Sequence, residues 1–125
     1  MSHLIAPSLL SADFSNLKKD IEMVNESEAD WFHLDIMDGH FVPNISFGIP
    51  VVKSIKRHAK KTLDVHLMIK NPEDYIEKFT EVGADIITIH EEACKENTAH
   101  ILKEIKKSKV KAGLAINPNT DYNVI

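Results

Sequence analysis

The chain lacks a second cysteine, a long apolar segment and an excess of basic charge. Its one cysteine, Cys94, cannot form a disulfide within the chain, which favours a reducing, cytoplasmic setting. No apolar run is long enough to span a bilayer and no signal-peptide segment is recognisable, so no membrane is expected as a partner. Acidic and basic residues are interspersed at a formal net charge of -4, which leaves no basic face to neutralise a nucleic-acid backbone. Nucleic acid is therefore not an expected partner.

The phosphate-binding signatures of open α/β sheets are absent as well. Neither GxGxxG nor GxxxxGK[ST] occurs in the sequence. What is present is a 43% share of hydrophobic residues in a 125-residue chain, which suffices for the core of one domain over residues 1–125.

Strand-like and helix-like patterns alternate along the whole chain. Short apolar runs are followed by segments whose apolar residues recur at helical spacing. This alternation predicts repeated βα units that form a parallel sheet. The predicted strands cover about residues 3–10, 31–37, 63–68, 85–90 and 111–116, with helices over about 17–24, 50–59, 72–82 and 96–107 between them.

Ionisable residues occupy alternate positions of two predicted strands that are otherwise apolar. Because successive side chains of a strand point to opposite faces, His33, Asp35 and Met37 share one face of the second strand. His66 and Met68 share one face of the third. Both faces of a doubly wound sheet meet helices, whereas the C-terminal rim of a barrel tolerates polar side chains. The pattern therefore favours a barrel.

Two imidazoles and a carboxylate on neighbouring strands can converge on one divalent cation. The alternative for each histidine is a hydrogen-bonded core residue, and that alternative is favoured for His90, which has no acidic partner on its own strand. Asp64 shares the face of His66 but lies deeper, where a structural hydrogen bond or ion pair is expected. Taken alone, Ser8 fits a strand-end hydrogen bond as well as a substrate contact, and methionines on these strands fit core packing.

Four segments, in order along the chain, resemble the N-terminal half of the ribulose-phosphate 3-epimerase family. They are APSLLSADF at 6–14, FHLDIMDGHFVPNISFG at 32–48, LDVHLMI at 63–69 and AGLAINP at 112–118. The resemblance implies an α/β fold of the (β/α)8 TIM-barrel type, with the first four βα units and strand five in this chain.

The same resemblance implies an isomerase that moves the C3 proton between ribulose 5-phosphate and xylulose 5-phosphate in the pentose phosphate pathway. It implies a divalent metal, with zinc favoured over iron, manganese or cobalt, and a sugar phosphate as substrate. Asp35 would be one of two acid/base carboxylates. Members of the family commonly assemble, so a homo-oligomer is expected. The implied metal ligands are His33, Asp35 and His66, and the implied substrate contacts are Ser8, His33, His66, Met37 and Met68.

A complete barrel of this type has about 250 residues, and this sequence ends just after its fifth predicted strand. The family's second catalytic aspartate, fourth metal ligand and phosphate-binding loops would lie in later strands. We therefore expect little turnover if residues 1–125 are the whole molecule. The exposed strand edges predict either that the chain pairs with another copy or that it is part of a longer enzyme. Two alternatives remain open: an epimerase for allulose 6-phosphate, although NISFG at 44–48 is closer to the ribulose-phosphate type, and a non-catalytic half-barrel fragment.

Overall fold

The computed structural model describes residues 3–125, which form one parallel sheet with helices between successive strands. The sheet has four strands in the order β1-β2-β3-β4, which is also their order along the chain. No helix within the described residues is long and apolar enough to cross a membrane. The strands are β1 (Trp31–Met37), β2 (Thr62–Met68), β3 (Ile86–His90) and β4 (Lys111–Ala115). The helices are α1 (Leu17–Glu26), α2 (Ile49–His58), α3 (Ile76–Glu81), α4 (Glu91–Cys94) and α5 (Thr98–Lys107).

Alternate residues of β1 and β2 are buried on the side that faces the helices. Each strand has three fully or almost fully buried apolar residues, separated by residues of intermediate exposure. Burying one such side chain stabilises the fold by about 1.5–3 kcal/mol. The helices contribute apolar stripes, such as Val52 and Ile55 of α2 and Ile101 and Ile105 of α5. The buried strand residues are Phe32, Leu34, Ile36, Leu63, Val65 and Leu67.

The register between β1 and β2 places the polar positions side by side on the other face. Asp35 pairs with His66, and His33 pairs with Asp64 one step earlier. Met37 pairs with Met68 at the carboxyl ends of the two strands. The parallel α/β architecture expected for the first part of a TIM barrel is therefore confirmed, and the sheet brings the predicted ligand residues onto one surface.

The predicted first strand over residues 3–10 is wrong as a regular strand. This segment runs extended beside β1, and the Pro7 carbonyl accepts a hydrogen bond from the His33 N–H at 2.9 Å. Only Ser8 forms a β-bridge, with His33, before the chain turns into a 3-10 helix at Leu9–Ser11. Pro7 has no N–H, so the segment cannot complete a strand ladder at that position.

The later predictions are accurate to within a few residues. The helix expected from about residue 96 begins at Thr98, because α4 and a 3-10 turn occupy residues 91–97. The helix expected after Asn71 starts with a 3-10 turn over Pro72–Asp74, and α3 follows. Asn71 stands at the N-cap position of this turn with a φ of 52°, and its side chain makes no capping hydrogen bond.

Candidate metal centre

The three predicted ligand residues converge on the face of the sheet that the helices leave open. His33 Nε2 and His66 Nδ1 each lie 3.1 Å from the same oxygen, Asp35 Oδ1. One ligand atom from each of the three residues lies within 4.8 Å of the others. Their side chains are 27%, 19% and 13% exposed for His33, His66 and Asp35, so the group is enclosed but still open to solvent.

Ser8 and Asp64 hold two of these side chains in place. The Ser8 hydroxyl donates to Asp35 Oδ2, and its oxygen accepts from the Leu10 N–H at 3.2 Å. Asp64 Oδ2 lies 2.7 Å from His33 Nδ1, which turns the other ring nitrogen of His33 towards Asp35. The expected structural hydrogen bond of Asp64 is therefore confirmed. The position of Ser8 beside Asp35 is compatible with both of its possible roles, the strand-end hydrogen bond and the substrate contact.

The charges of the group are set by its hydrogen bonds. Hydrogen bonds to Asp35 and then to Asp64 raise the pKa of His33 to about 10, although burial opposes this shift. Burial alone would raise the pKa of Asp35, but hydrogen bonds, chiefly that of His33, outweigh it and hold this pKa well below its usual range. In the metal-free protein at neutral pH, an imidazolium therefore lies between two carboxylates.

His90 and Glu92 extend the site beyond the residues that the sequence pattern identified. His90 Nε2 lies 2.8 Å from His66 Nε2, and the two rings stack with centroids 5.0 Å apart. His90 Nδ1 lies 3.2 Å from Glu92 Oε2. The prediction that His90 is a buried, hydrogen-bonded residue is confirmed, since it is 6% exposed. Its contact with His66 was missed, although His90 ends a strand on the same side of the sheet.

The methionines and the loop after β1 border this group. Met37 and Met68 are half-buried neighbours at the carboxyl ends of β1 and β2. In the loop over residues 38–47, Asp38 accepts hydrogen bonds from the backbone N–H groups of His40, Phe41 and Lys70, each at 2.8 Å. The Phe41 ring lies 5.2 Å from that of His90. Hydrogen bonds to Asp38 thus fix the loop beside the site.

The donor set fits a divalent cation of the zinc type. Two imidazole nitrogens and a carboxylate oxygen are ligands that zinc commonly takes in catalytic sites, where a further position stays open. Histidines that bind a metal usually have their second nitrogen held by another polar group. Both histidines meet that condition, His33 through Asp64 and His66 through His90.

Comparison with known proteins agrees with the family resemblance of the four sequence segments. The sequence profile described as "Ribulose-phosphate 3 epimerase family" matches residues 4–125. The chain is 51% identical over 123 residues to ribulose-phosphate 3-epimerase of Synechocystis, which covers 98% of this chain and 54% of that protein. It is 46% identical over 121 residues to ribulose-phosphate 3-epimerase of Bacillus subtilis, covering 97% of this chain and 55% of that protein.

A plant protein matches over nearly the same region. The chain is 44% identical over 116 residues to the cytoplasmic isoform of ribulose-phosphate 3-epimerase of rice, covering 93% of this chain and 51% of that protein. The chain thus spans about half the length of the curated relatives that it matches.

Proposed function

Because the chain belongs to the ribulose-phosphate 3-epimerase family, we propose that it supplies the metal-binding part of an epimerase site for ribulose 5-phosphate and xylulose 5-phosphate. The observation that carries this proposal is the convergence of His33, Asp35 and His66 on one face of the sheet. The proposed metal is zinc, held by one ring nitrogen of each histidine and by the carboxylate of Asp35.

Epimerisation at C3 requires removal of a proton next to a carbonyl group. The charge that develops on the two substrate oxygens has to be stabilised in a site that excludes water, and a bound divalent cation supplies that charge. Asp35 is proposed to accept the C3 proton of the sugar, which leaves a planar enediolate with Asp35 on one of its faces. Its carboxylate is ionised and is held in position by the Ser8 hydroxyl beside the proposed metal position.

The residues around this carboxylate are proposed to bind and orient the substrate. Ser8 offers a hydroxyl beside Asp35, and the rings of His33 and His66 form the wall of the site next to it. Met37 and Met68 are proposed to cover the reacting carbon, because thioether side chains exclude water and offer no competing proton. The acid that returns a proton to the opposite face is not assigned to a residue of this chain.

Proton exchange at C3 tests the substrate. We expect the zinc-loaded protein to exchange the C3 proton of ribulose 5-phosphate for deuterium in deuterium oxide, faster than that of allulose 6-phosphate, because the curated relatives carry the ribulose-phosphate name. The exchange is followed by NMR, side by side on the two sugars, with protein treated with a chelator as the control. Faster exchange of allulose 6-phosphate would assign the other substrate. Exchange that survives removal of the metal would contradict the proposed mechanism.

The stability of the metal-free protein is expected to fall at alkaline pH. The pKa of His33 is about 10 in the folded chain, against an ordinary value of 6.5. A raised folded pKa gives stabilisation that is fully present below about pH 6.5 and is lost as the pH rises through about 10. The lowered pKa of Asp35 has the opposite sign, so its contribution is present above its ordinary value of 3.8 and is lost as the pH falls.

Urea unfolding of chelator-treated protein between pH 5 and pH 10 measures this effect. We expect the free energy of unfolding to fall over that range by on the order of 2 kcal/mol more than in the His33→Gln variant. The variant is the control because every other titratable group is common to both proteins. Parallel pH profiles for the two proteins would show that His33 is not held as an imidazolium.

A further inference from the structure

His66 belongs to a chain of contacts that runs from Asp35 to Glu92. Its Nδ1 faces Asp35 Oδ1 at 3.1 Å, and its Nε2 faces His90 Nε2 at 2.8 Å. His90 Nδ1 then faces Glu92 Oε2 at 3.2 Å. The three contacts join two carboxylates through two imidazoles. Each contact needs one N–H, and two neutral imidazoles have only two, so one of the three contacts lacks a proton.

The far end of this chain is fixed by groups that follow β4. Glu92 Oε1 accepts hydrogen bonds from the backbone N–H of Asn117 and from the hydroxyl of Thr120, both at 2.5 Å. Burial would raise the pKa of Glu92, but these bonds outweigh it and lower the pKa to about 2, so the group is a carboxylate. A carboxylate only accepts hydrogen bonds, and the other oxygen of Glu92 faces His90 Nδ1. At the opposite end, Asp35 Oδ1 already faces His33 Nε2 as well as His66 Nδ1. The Nδ1–H of His90 is therefore needed at Glu92.

The position of that proton determines the others. A neutral His90 with its proton on Nδ1 has a bare Nε2, which accepts a hydrogen bond only if His66 carries its own proton on Nε2. The Nδ1 of His66 is then bare and lies opposite a carboxylate oxygen of Asp35. Two acceptors at that distance repel each other unless a cation lies between them. The contact without a proton is thus the one between His66 Nδ1 and Asp35 Oδ1, which is the proposed metal position.

We infer that Glu92 and His90 act as positioning residues, which fix the tautomer of His66 so that its Nδ1 is free to bind the metal. The inference rests on the proposed function, since it assigns the support of one proposed ligand. The role is indirect, because Glu92 is hydrogen-bonded to His90 and reaches His66 through the ring of His90.

The Glu92→Gln substitution is expected to reverse the tautomers. The backbone N–H of Asn117 can only donate, so the carbonyl oxygen of the new amide stays on that group and its NH2 faces His90 Nδ1. His90 must then carry its proton on Nε2, and His66 must carry its proton on Nδ1. A protonated Nδ1 cannot bind a metal. The matched control is Glu104→Gln, which changes an exposed carboxylate paired with Lys107 on α5.

The test measures two properties: the tautomer of His66 and the affinity of the protein for zinc. Long-range 1H–15N correlation spectra of the metal-free proteins report which nitrogen of His66 carries the proton, and competition with a chelator gives the zinc affinity. We expect Nε2–H in the unmodified protein and in Glu104→Gln, and Nδ1–H in Glu92→Gln. We expect zinc affinity to fall by about 10–100-fold in Glu92→Gln, which is the loss typical of removing a support of a metal ligand. Glu104→Gln should bind zinc as the unmodified protein does.

A second variant separates positioning from general damage to the fold. His90→Phe keeps an aromatic ring but removes both nitrogens, and it is expected to weaken zinc binding by a similar factor. In that background Glu92→Gln should cause no further loss, because its effect passes through His90. An unchanged His66 tautomer and zinc affinity in Glu92→Gln, or a full additional loss in the His90→Phe background, would overturn the inference. Failure of the unmodified protein to bind zinc would overturn the proposed metal site and, with it, the positioning role.

Discussion

The Asp35→Asn substitution is expected to slow zinc-dependent exchange of the C3 proton of ribulose 5-phosphate by about 10²–10⁴-fold, the range for losing a general base. Asparagine has nearly the same shape as aspartate, so the packing around Ser8 is retained. An amide is not a base near neutral pH, and it cannot take up the C3 proton. The NMR exchange experiment measures this effect, with bound zinc determined in the same samples.

The matched control for this prediction is Asp64→Asn on the neighbouring strand. Asp64 also contacts His33, but it lies on the other side of that ring from Asp35. We expect the zinc affinity of Asp64→Asn to be lower by about 10–100-fold. Once zinc is saturating, its rate of C3 proton exchange should be close to that of the unmodified protein. Equal exchange rates for zinc-saturated Asp35→Asn and Asp64→Asn would exclude Asp35 as the base.

Loss of His33 is expected to have the largest effect on the metal itself. The His33→Ala substitution removes one of three proposed ligands and leaves Asp35 and Asp64 without their shared partner. Losing a residue that only supports a metal ligand typically lowers affinity by about 10–100-fold. The loss of His33, a proposed ligand, should lower zinc affinity by more than this. Equilibrium dialysis followed by metal analysis measures the bound zinc in each protein.

His100→Ala is the control for the loss of His33. His100 lies exposed on α5, away from the group around Asp35. Its replacement should leave zinc binding unchanged, which separates a specific ligand from general binding of metal by surface histidines. Equal zinc binding by the two variants would place the metal, if any is bound, elsewhere on the protein.

The convergence of the proposed ligands could be anticipated from the sequence because a strand has a strict two-residue alternation. Apolar residues at positions 32, 34 and 36 fix which face of β1 is buried, and His33 and Asp35 then have to share the other face. The same reasoning places His66 on that face of β2. Only the register between the strands was open, and it sets Asp35 opposite His66.

The parts of the site that the sequence did not indicate depend on contacts between elements that are distant along the chain. Glu92 follows the end of β3, where the alternation of a strand no longer applies, and its partners Asn117 and Thr120 lie after β4. The link from His90 to His66 depends on ring orientations that no periodicity specifies. The misassigned first strand has a local cause, since the proline at position 7 interrupts the ladder.

The central claim is that His33, Asp35 and His66 hold one divalent metal ion, and X-ray absorption spectroscopy at the zinc edge tests it most directly. For the zinc-loaded protein we expect one zinc per chain, with two imidazole nitrogens at about 2.0–2.1 Å and carboxylate oxygen at about 2.0–2.2 Å. In the His33→Ala variant, the number of imidazole nitrogens bound to zinc should fall from two to one. A spectrum with no imidazole, or one that His33→Ala leaves unchanged, would contradict the account.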